Sequence, residues 1–245
     1  MLFTIYGRAL KVLLKKPFRL WGISLLSIIL SFVLSGLSGF AIPFIGLAVS
    51  LLLSTSMTMI YLKGYRGEEV NSVQLFDCFK DWATIKRVVL GLGWMNLKIF
   101  LWSLIPVVGW IFAIIRSYEY RLTPYILVME PNVPITEAIK VSSAKTHGYK
   151  LQMWLADFLF VIVFYVGLII LVLLSNIPVL GILFALIAIV AFIAFVALSP
   201  LFLGLVQAAF YEEITVKKSA RFCPNCGSKV PFNSAFCPNC GANVQ

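Results

Sequence analysis

Apolar positions in this chain gather in six long blocks, and most charged positions fall between them. The blocks run roughly over Leu20 to Leu37, Ile42 to Leu62, Val88 to Ile105, Val107 to Val128, Leu151 to Leu174 and Val179 to Ala209. Each approaches or exceeds the ~20 residues that a helix needs to cross ~30 Å of hydrocarbon. The pattern therefore predicts six transmembrane helices. The last block is too long for a straight crossing, so tilt or a kink near Pro200 should absorb the excess. Pro124, after Thr123, should bend the fourth.

The blocks pair into hairpins with similar tips. Ile-Pro-apolar-apolar-Gly occurs at Ile42 to Gly46, Ile105 to Gly109 and Ile177 to Gly181, with no charged residue in or beside any copy. Pro ends a helix and Gly permits the tight reversal after it. A segment of helical periodicity precedes each hairpin. In the first, Phe3, Tyr6, Leu10, Leu13 and Leu14 oppose Arg8, Lys11 and Lys15. In the second, Val73, Phe76, Phe79 and Trp82 oppose Asp77, Lys80 and Asp81. The third opens at Pro134 and groups Ile135, Ala138, Ile139 and Ser142. Such helices lie in the membrane interface or cap a bundle from inside. The expected fold is all-α integral membrane: three helical hairpins, each preceded by an amphipathic helix. The repeat units span about 1–62, 68–129 and 133–211 within a membrane domain of 1–211.

The first hairpin carries small residues at every fourth position. Ser27, Ser31, Ser35 and Gly39 are answered by Gly46, Ser50, Ser54 and Thr58. This spacing lets two helix backbones approach closely. Close packing is the expectation, and a hydroxyl-lined conduit is the alternative.

Composition agrees with lipid as the solvent. The chain is 61% apolar and 12% charged, with mean hydropathy +0.97, whereas soluble domains are about one quarter charged. The formal charge of +10 raises nucleic acid as a partner, but its distribution argues against one. Basic residues flank the apolar blocks at Arg8 to Arg19, Lys63 to Arg87, Lys140 to Lys150 and Lys217 to Lys229, as in short cytoplasmic connections. Both termini are thus expected in the cytoplasm and the tips outside, with anionic headgroups drawn to the basic segments. Trp21 to Ser35 resembles a signal-peptide core. Its long, helically patterned basic lead-in marks it as a retained span instead.

Beyond Glu212 the composition changes. A linker is expected at 212–221 and a small module at 222–245. Cys223-Pro-Asn-Cys226-Gly and Cys237-Pro-Asn-Cys240-Gly offer four thiolates for tetrahedral Zn²⁺. With every position filled by Cys no activated water has a place, so one structural zinc is expected. Two disulfides are the competing arrangement, disfavoured in a reducing cytoplasm. Cys78 is isolated and reads as a half-buried thiol.

Five charges interrupt the apolar blocks: Lys98, Arg116, Glu119, Arg121 and Asp157. A charge at a helix centre costs roughly 2.5–3.5 kcal/mol on insertion scales, so partners are expected. Lys98 with Glu119, and Arg116 or Arg121 with Asp157, are the pairings considered. They serve either as braces between spans, which is preferred, or as an ion, proton or substrate path. His147 is the single histidine, which removes two-histidine metal chemistry. Glu212-Glu213 lacks the arginine spacing and histidines of intramembrane prenyl-protein proteases. No enzyme is expected.

One resemblance spans much of the chain. It rests on Ser117-Tyr118-Glu119-Tyr120, Pro124-Tyr125-Ile126-Leu127, Glu130-Pro131, Glu137-Ala138-Ile139, Ser142 and Gly148-Tyr149-Lys150, then Ser199-Pro200 and Ala209-Phe210-Tyr211. The chain is similar here to an uncharacterised bacterial membrane family, domain of unknown function nine-seven-five. The usual Pro-Gly pair is stretched to Pro106-Val-Val-Gly109. The resemblance implies a bacterial cytoplasmic membrane protein and lends no catalytic residues. The C-terminal segment resembles zinc ribbons appended to bacterial membrane proteins. The expected role is a non-enzymatic scaffold whose ribbon binds a protein partner. The alternative is a transporter or permease subunit using the intramembrane charges.

Overall fold

No charged residue lies between Asp157 and Glu212, and such a stretch can satisfy its backbone in lipid only as helix. The computed structural model describes residues 2–15, 17–38, 43–106, 108–178, 180–217, 221–222, 225–230, 236–237 and 239–243. Helices dominate in the order α1 (Leu2–Lys15), α2 (Pro17–Ser38), α3 (Pro43–Arg66), α4 (Trp82–Ser103), α5 (Val108–Glu119), α6 (Thr123–Met129), α7 (Ile135–Thr146), α8 (Lys150–Leu174) and α9 (Gly181–Glu212). A 3-10 helix, Ser72–Phe79, precedes α4, and a π-turn, Glu213–Lys217, extends α9. Two-residue strands β1 (Arg221–Phe222) and β2 (Lys229–Val230) pair antiparallel.

Among the described residues, three helical segments are long and apolar enough to cross a membrane: Ile45–Arg66, Lys150–Leu174 and Gly181–Thr215. The described parts of the others in the expected set of six do not meet that length and composition. Leu20–Val33 is a shorter apolar stretch. Arg87, Asn96 and Lys98 dilute α4, and α5 has only 12 residues. Even so, α2 packs on α3, α4 on α5, and α8 on α9.

The tips show why Gly follows Pro. A Cβ on Gly109 would collide with the carbonyl of Trp102, and one on Gly181 with the carbonyl of Ser175. In both copies the incoming helix starts hard against the end of the outgoing one. Gly181 N–H also donates to the Ile177 carbonyl at 2.8 Å, closing the turn. The first tip falls partly on 39–42, outside the described residues.

The expected fourth span, 107–128, is two helices rather than one bent helix. Pro124 has no N–H to offer and in a continuous helix would crowd the carbonyl of Tyr120, so the chain turns at Tyr120–Leu122, with Thr123 N–H on the Tyr120 carbonyl at 3.0 Å, and restarts as α6. Polar side chains recover the freed backbone groups. Ser142 Oγ donates to the Glu119 carbonyl at 2.8 Å and accepts from Leu122 N–H at 3.2 Å. Thr146 Oγ1 adds a bond to the Glu119 carbonyl at 3.1 Å, and Gln207 Nε2 donates to the Arg121 carbonyl at 2.9 Å. At the other end of α6, Arg87 donates to the carbonyls of Leu127, Glu130 and Val133 at 3.2, 3.1 and 2.9 Å. Interrupted helices persist at membrane depth only where side chains re-satisfy the backbone in this way.

The core sits at the basic end of the bundle. Ile5 and Ala9 of α1, Leu53 and Ile60 of α3, Leu75, Val88 of α4, Tyr125 to Leu127 of α6, Ala138 of α7, Met153 of α8 and Leu205 of α9 are all buried. Toward the tips, α8 and the first half of α9 expose hydrocarbon, among it Val163, Ile170, Ile182 and Ile193. They touch each other through rings, Phe164 stacking on Phe195 at 3.7 Å. The length of α9 is thereby accounted for. It continues through Pro200, and its last turns lie in the protein core rather than in lipid. The segment expected as a linker, 212–221, is helical through Lys217, with Ile214 buried.

Candidate metal centre and charged network

Short turns bring the C-terminal thiols together. Arg221 pairs with Val230 and Phe222 with Lys229, and an isolated bridge joins Phe236 to Asn243. Within the second knuckle, Cys237 N–H donates to the Ala242 carbonyl and Gly241 N–H to the Cys237 carbonyl, both at 2.8 Å. Gly227 and Gly241, one after each second cysteine, have φ of +69° and +67°, a conformation that a side chain resists. The sulfurs of Cys226, Cys237 and Cys240 lie within 4.8 Å of one another. Cys226 and Cys237 sulfurs stand 3.6 Å apart, close to the ~3.8 Å edge of a tetrahedron with ~2.3 Å zinc–sulfur bonds. Cys223 lies outside the described residues.

The surroundings favour thiolate. Ser228 Oγ sits 2.9 Å from Cys226 Sγ and 3.1 Å from Cys237 Sγ. Asn225 and Asn239, the x positions of the two knuckles, point their amide nitrogens at Cys240 and Cys226 sulfur from 3.7 and 3.8 Å. The Ser228 hydrogen bond leads in pulling the Cys226 thiol down to about 6 and lowers Cys237 as well. Cys226 and Cys237 are free thiols. Clustered thiolates repel one another, and a divalent cation removes that repulsion. The donor set therefore fits zinc, with Cys223 the natural fourth ligand.

The charges within the helices form two braces on α5 and the turn after it. Glu119, only 5% exposed, pairs with Arg116 one turn back and with Lys150 of α8 at 2.5 Å. Ser143 of α7 adds a hydroxyl at 3.4 Å. Asp157 of α8 accepts from both terminal nitrogens of Arg121 and from the Tyr118 hydroxyl at 3.0 Å. Arg121 also lies over the Tyr118 ring, 5.2 Å from its centroid. The Arg121 and Asp157 pairing considered from sequence is present. The pairing of Lys98 with Glu119 is not, because Lys150 and Arg116 occupy both carboxylate oxygens. Lys98 instead stands 5.2 Å from the Trp94 ring centroid. The basic end adds further ties: Arg66 to Glu212, Arg8 to Glu213 at 3.6 Å and Lys145 to Glu130.

The serine stripe of the first hairpin is divided in its role. Ser54, Thr55 and Thr58 bond back to carbonyls of their own helix. Ser24 reaches across to the Tyr61 hydroxyl at 3.3 Å. Ser27, Ser31, Ser54 and Thr58 also line a cavity of about 290 Å³ together with Tyr125 and Gln207. Tyr125 is fully buried and its hydroxyl has no hydrogen-bond partner among the described residues. Ser35 and Gly39 are not among the side chains described.

A family model described as a zinc-ribbon domain matches residues 216–244. No curated protein and no solved structure matches the chain. The match covers the cysteine module, and no match to the membrane family of the sequence resemblance is found.

Proposed function

We propose that this chain is a multi-pass protein of the bacterial cytoplasmic membrane that acts without catalysis, as a scaffold whose C-terminal zinc ribbon binds a protein partner. Its six spans form three hairpins, each with a short interfacial helix before it. Tips face outward and both termini lie in the cytoplasm, as the basic connections require. One Zn²⁺ on Cys223, Cys226, Cys237 and Cys240 holds the ribbon, because about twenty residues cannot bury a core that offsets their entropy. The likeness over residues 117–211 to the uncharacterised bacterial family belongs to the same proposal. The observation that carries it is the pairing of both carboxylates that interrupt the apolar blocks. Glu119 and Asp157 are both engaged by cations of neighbouring segments, as braces are. A closed four-thiolate site adds a rigid surface rather than a reaction centre. Deletion of residues 222–245 tests this: discrete crosslinked adducts in native membranes should vanish while the helices remain inserted. Unchanged adducts would reject partner binding through the ribbon.

The cavity between α2, α3, α6 and α9 favours a second function, a transporter or permease subunit. Its hydroxyl lining and the unpartnered Tyr125 hydroxyl are features of a polar path through a bundle. Solute flux in reconstituted vesicles that depends on Lys98, Glu119 or Asp157 would select it over the scaffold. Absence of flux would reject it.

A further inference from the structure

Beside the break in the fourth span, an open pocket of about 640 Å³ is lined by Lys98, Arg116, Tyr120, Lys140, Ser143 and His147. These side chains come from α4, α5 with the turn after it, and α7 with its cap. The charge on this wall is one-sided: among the described residues three cations line it and no carboxylate does. The nearby acid, Glu119, is set against Arg116 and Lys150 and takes the Ser143 hydroxyl as well. One negative charge thus already answers two positive ones. Lys98 and Lys140 make no ion pair among the described residues.

Lys98 makes the imbalance costly. It is half-buried on a helix whose neighbouring Leu97, Phe100 and Leu101 are exposed hydrocarbon. An ammonium in such a setting calls for a counter-charge. The Tyr120 hydroxyl and the His147 imidazole N–H bring further donors to the same wall. Several donors and a surplus of positive charge complement the oxygens of a phosphate. One helical turn from Lys98 and Arg116, Trp94 on α4 and Phe112 on α5 present exposed aromatic surface, and Ile115 adjoins Arg116. A free anion has no use for that flank, whereas an acyl chain does. Basic pockets between membrane helices bind anionic headgroups by the same combination.

We infer that this pocket binds the phosphodiester headgroup of an anionic phospholipid, whose acyl chains run along the exposed flanks of α4 and α5. The inference rests on the membrane location proposed above but not on the ribbon, so deletion of 222–245 leaves it intact. The experiment uses the full chain, purified in mild detergent and stripped of lipid. Native mass spectrometry then follows titration with phosphatidylglycerol, phosphatidylcholine or inorganic phosphate. Phosphatidylglycerol should bind at roughly tenfold lower concentration than phosphatidylcholine, and inorganic phosphate should not reproduce it. Lys98→Met and Lys140→Gln should each weaken the phosphatidylglycerol adduct about fivefold. Lys86→Gln, a cation over the Trp82 ring and outside the pocket, should leave it unchanged. Lys140 is exposed on α7, so its variant reports even if Lys98→Met fails to fold. Equal binding by wild type and Lys140→Gln would overturn the inference. So would an equal loss in Lys86→Gln, or inorganic phosphate binding as tightly as the phospholipid.

Discussion

Replacing Glu119 with Gln keeps its volume and removes the one charge that Arg116 and Lys150 share. Breaking a buried ion pair from one side costs about 3–5 kcal/mol, because the partner is stranded. Here the stranded groups retain some freedom, since the Arg116 and Lys150 side chains are 35% and 29% exposed. Both can swing toward water or headgroups, which lowers the expected loss to about 2–3 kcal/mol. For a chain of this length that corresponds to a drop of about 5–10 °C in Tm. Tryptophan fluorescence of the detergent-purified protein through a thermal ramp measures it. A double-mutant cycle then identifies the partner. Glu119→Gln and Lys150→Gln should be non-additive by about 1–2 kcal/mol, whereas Glu119→Gln and Lys98→Gln should add within about 0.5 kcal/mol. A Tm unchanged within about 1 °C, or coupling to Lys98 in place of Lys150, would refute the brace.

Arg87→Ala should cost about 2–3 kcal/mol in the same melt, since it removes the side-chain donor of three carbonyls at and just beyond the end of α6, of which Glu130 keeps the Val133 N–H. Arg87→Lys should recover less than half of that, because one ammonium cannot match the guanidinium fork. Chelation should release one zinc per chain and abolish hydrogen-exchange protection at the Cys237 and Gly241 amides while leaving the helices protected; persistent protection at those amides would show that metal does not hold the module. Asp81 caps α4 by accepting from Thr84 N–H at 3.0 Å, and that class of backbone bond holds its carboxyl below the usual range. Its stabilisation should therefore be present above the ordinary carboxyl value and fade as pH falls through the lowered folded value. The Tm gap between wild type and Asp81→Ala should accordingly be open at pH 7 and closed in strong acid, and a gap independent of pH would count against the cap.

Much of the bundle was legible because hydrocarbon periodicity and lipid length constrain it directly. The second and third tips, the turns of the terminal knuckles and the amphipathic α1 and α7 follow from local residue order. The second amphipathic segment does form a helix, but a 3-10 one, a difference in winding that a period near three leaves open. What escaped the sequence was tertiary. Apolar count alone made 107–128 a single span, whereas the clash of Pro124 with the Tyr120 carbonyl breaks it once Ser142, Thr146 and Gln207 stand ready to take the freed groups. Those three lie 20 or more residues away. Glu119 and Lys98 both fall inside apolar blocks, which pairs them on sequence alone, yet Lys150, in a basic flank, reaches Glu119 first. Arg87 likewise sits in a basic flank that signals topology, and its role as the cap of α6 depends on a fold that places residues 127–133 beside it. The excess length of α9 was visible, but not that protein rather than lipid would cover its last turns.

The most direct test of the threading uses cysteines introduced at the tips, Leu104→Cys and Leu180→Cys, both at exposed positions. A membrane-impermeant maleimide is applied to intact cells and, separately, to permeabilised ones. The account predicts that both tip cysteines react in intact cells, while Cys226 and Cys240 of the C-terminal module react only after permeabilisation and removal of metal. Tip labelling that appears only in permeabilised cells would contradict it.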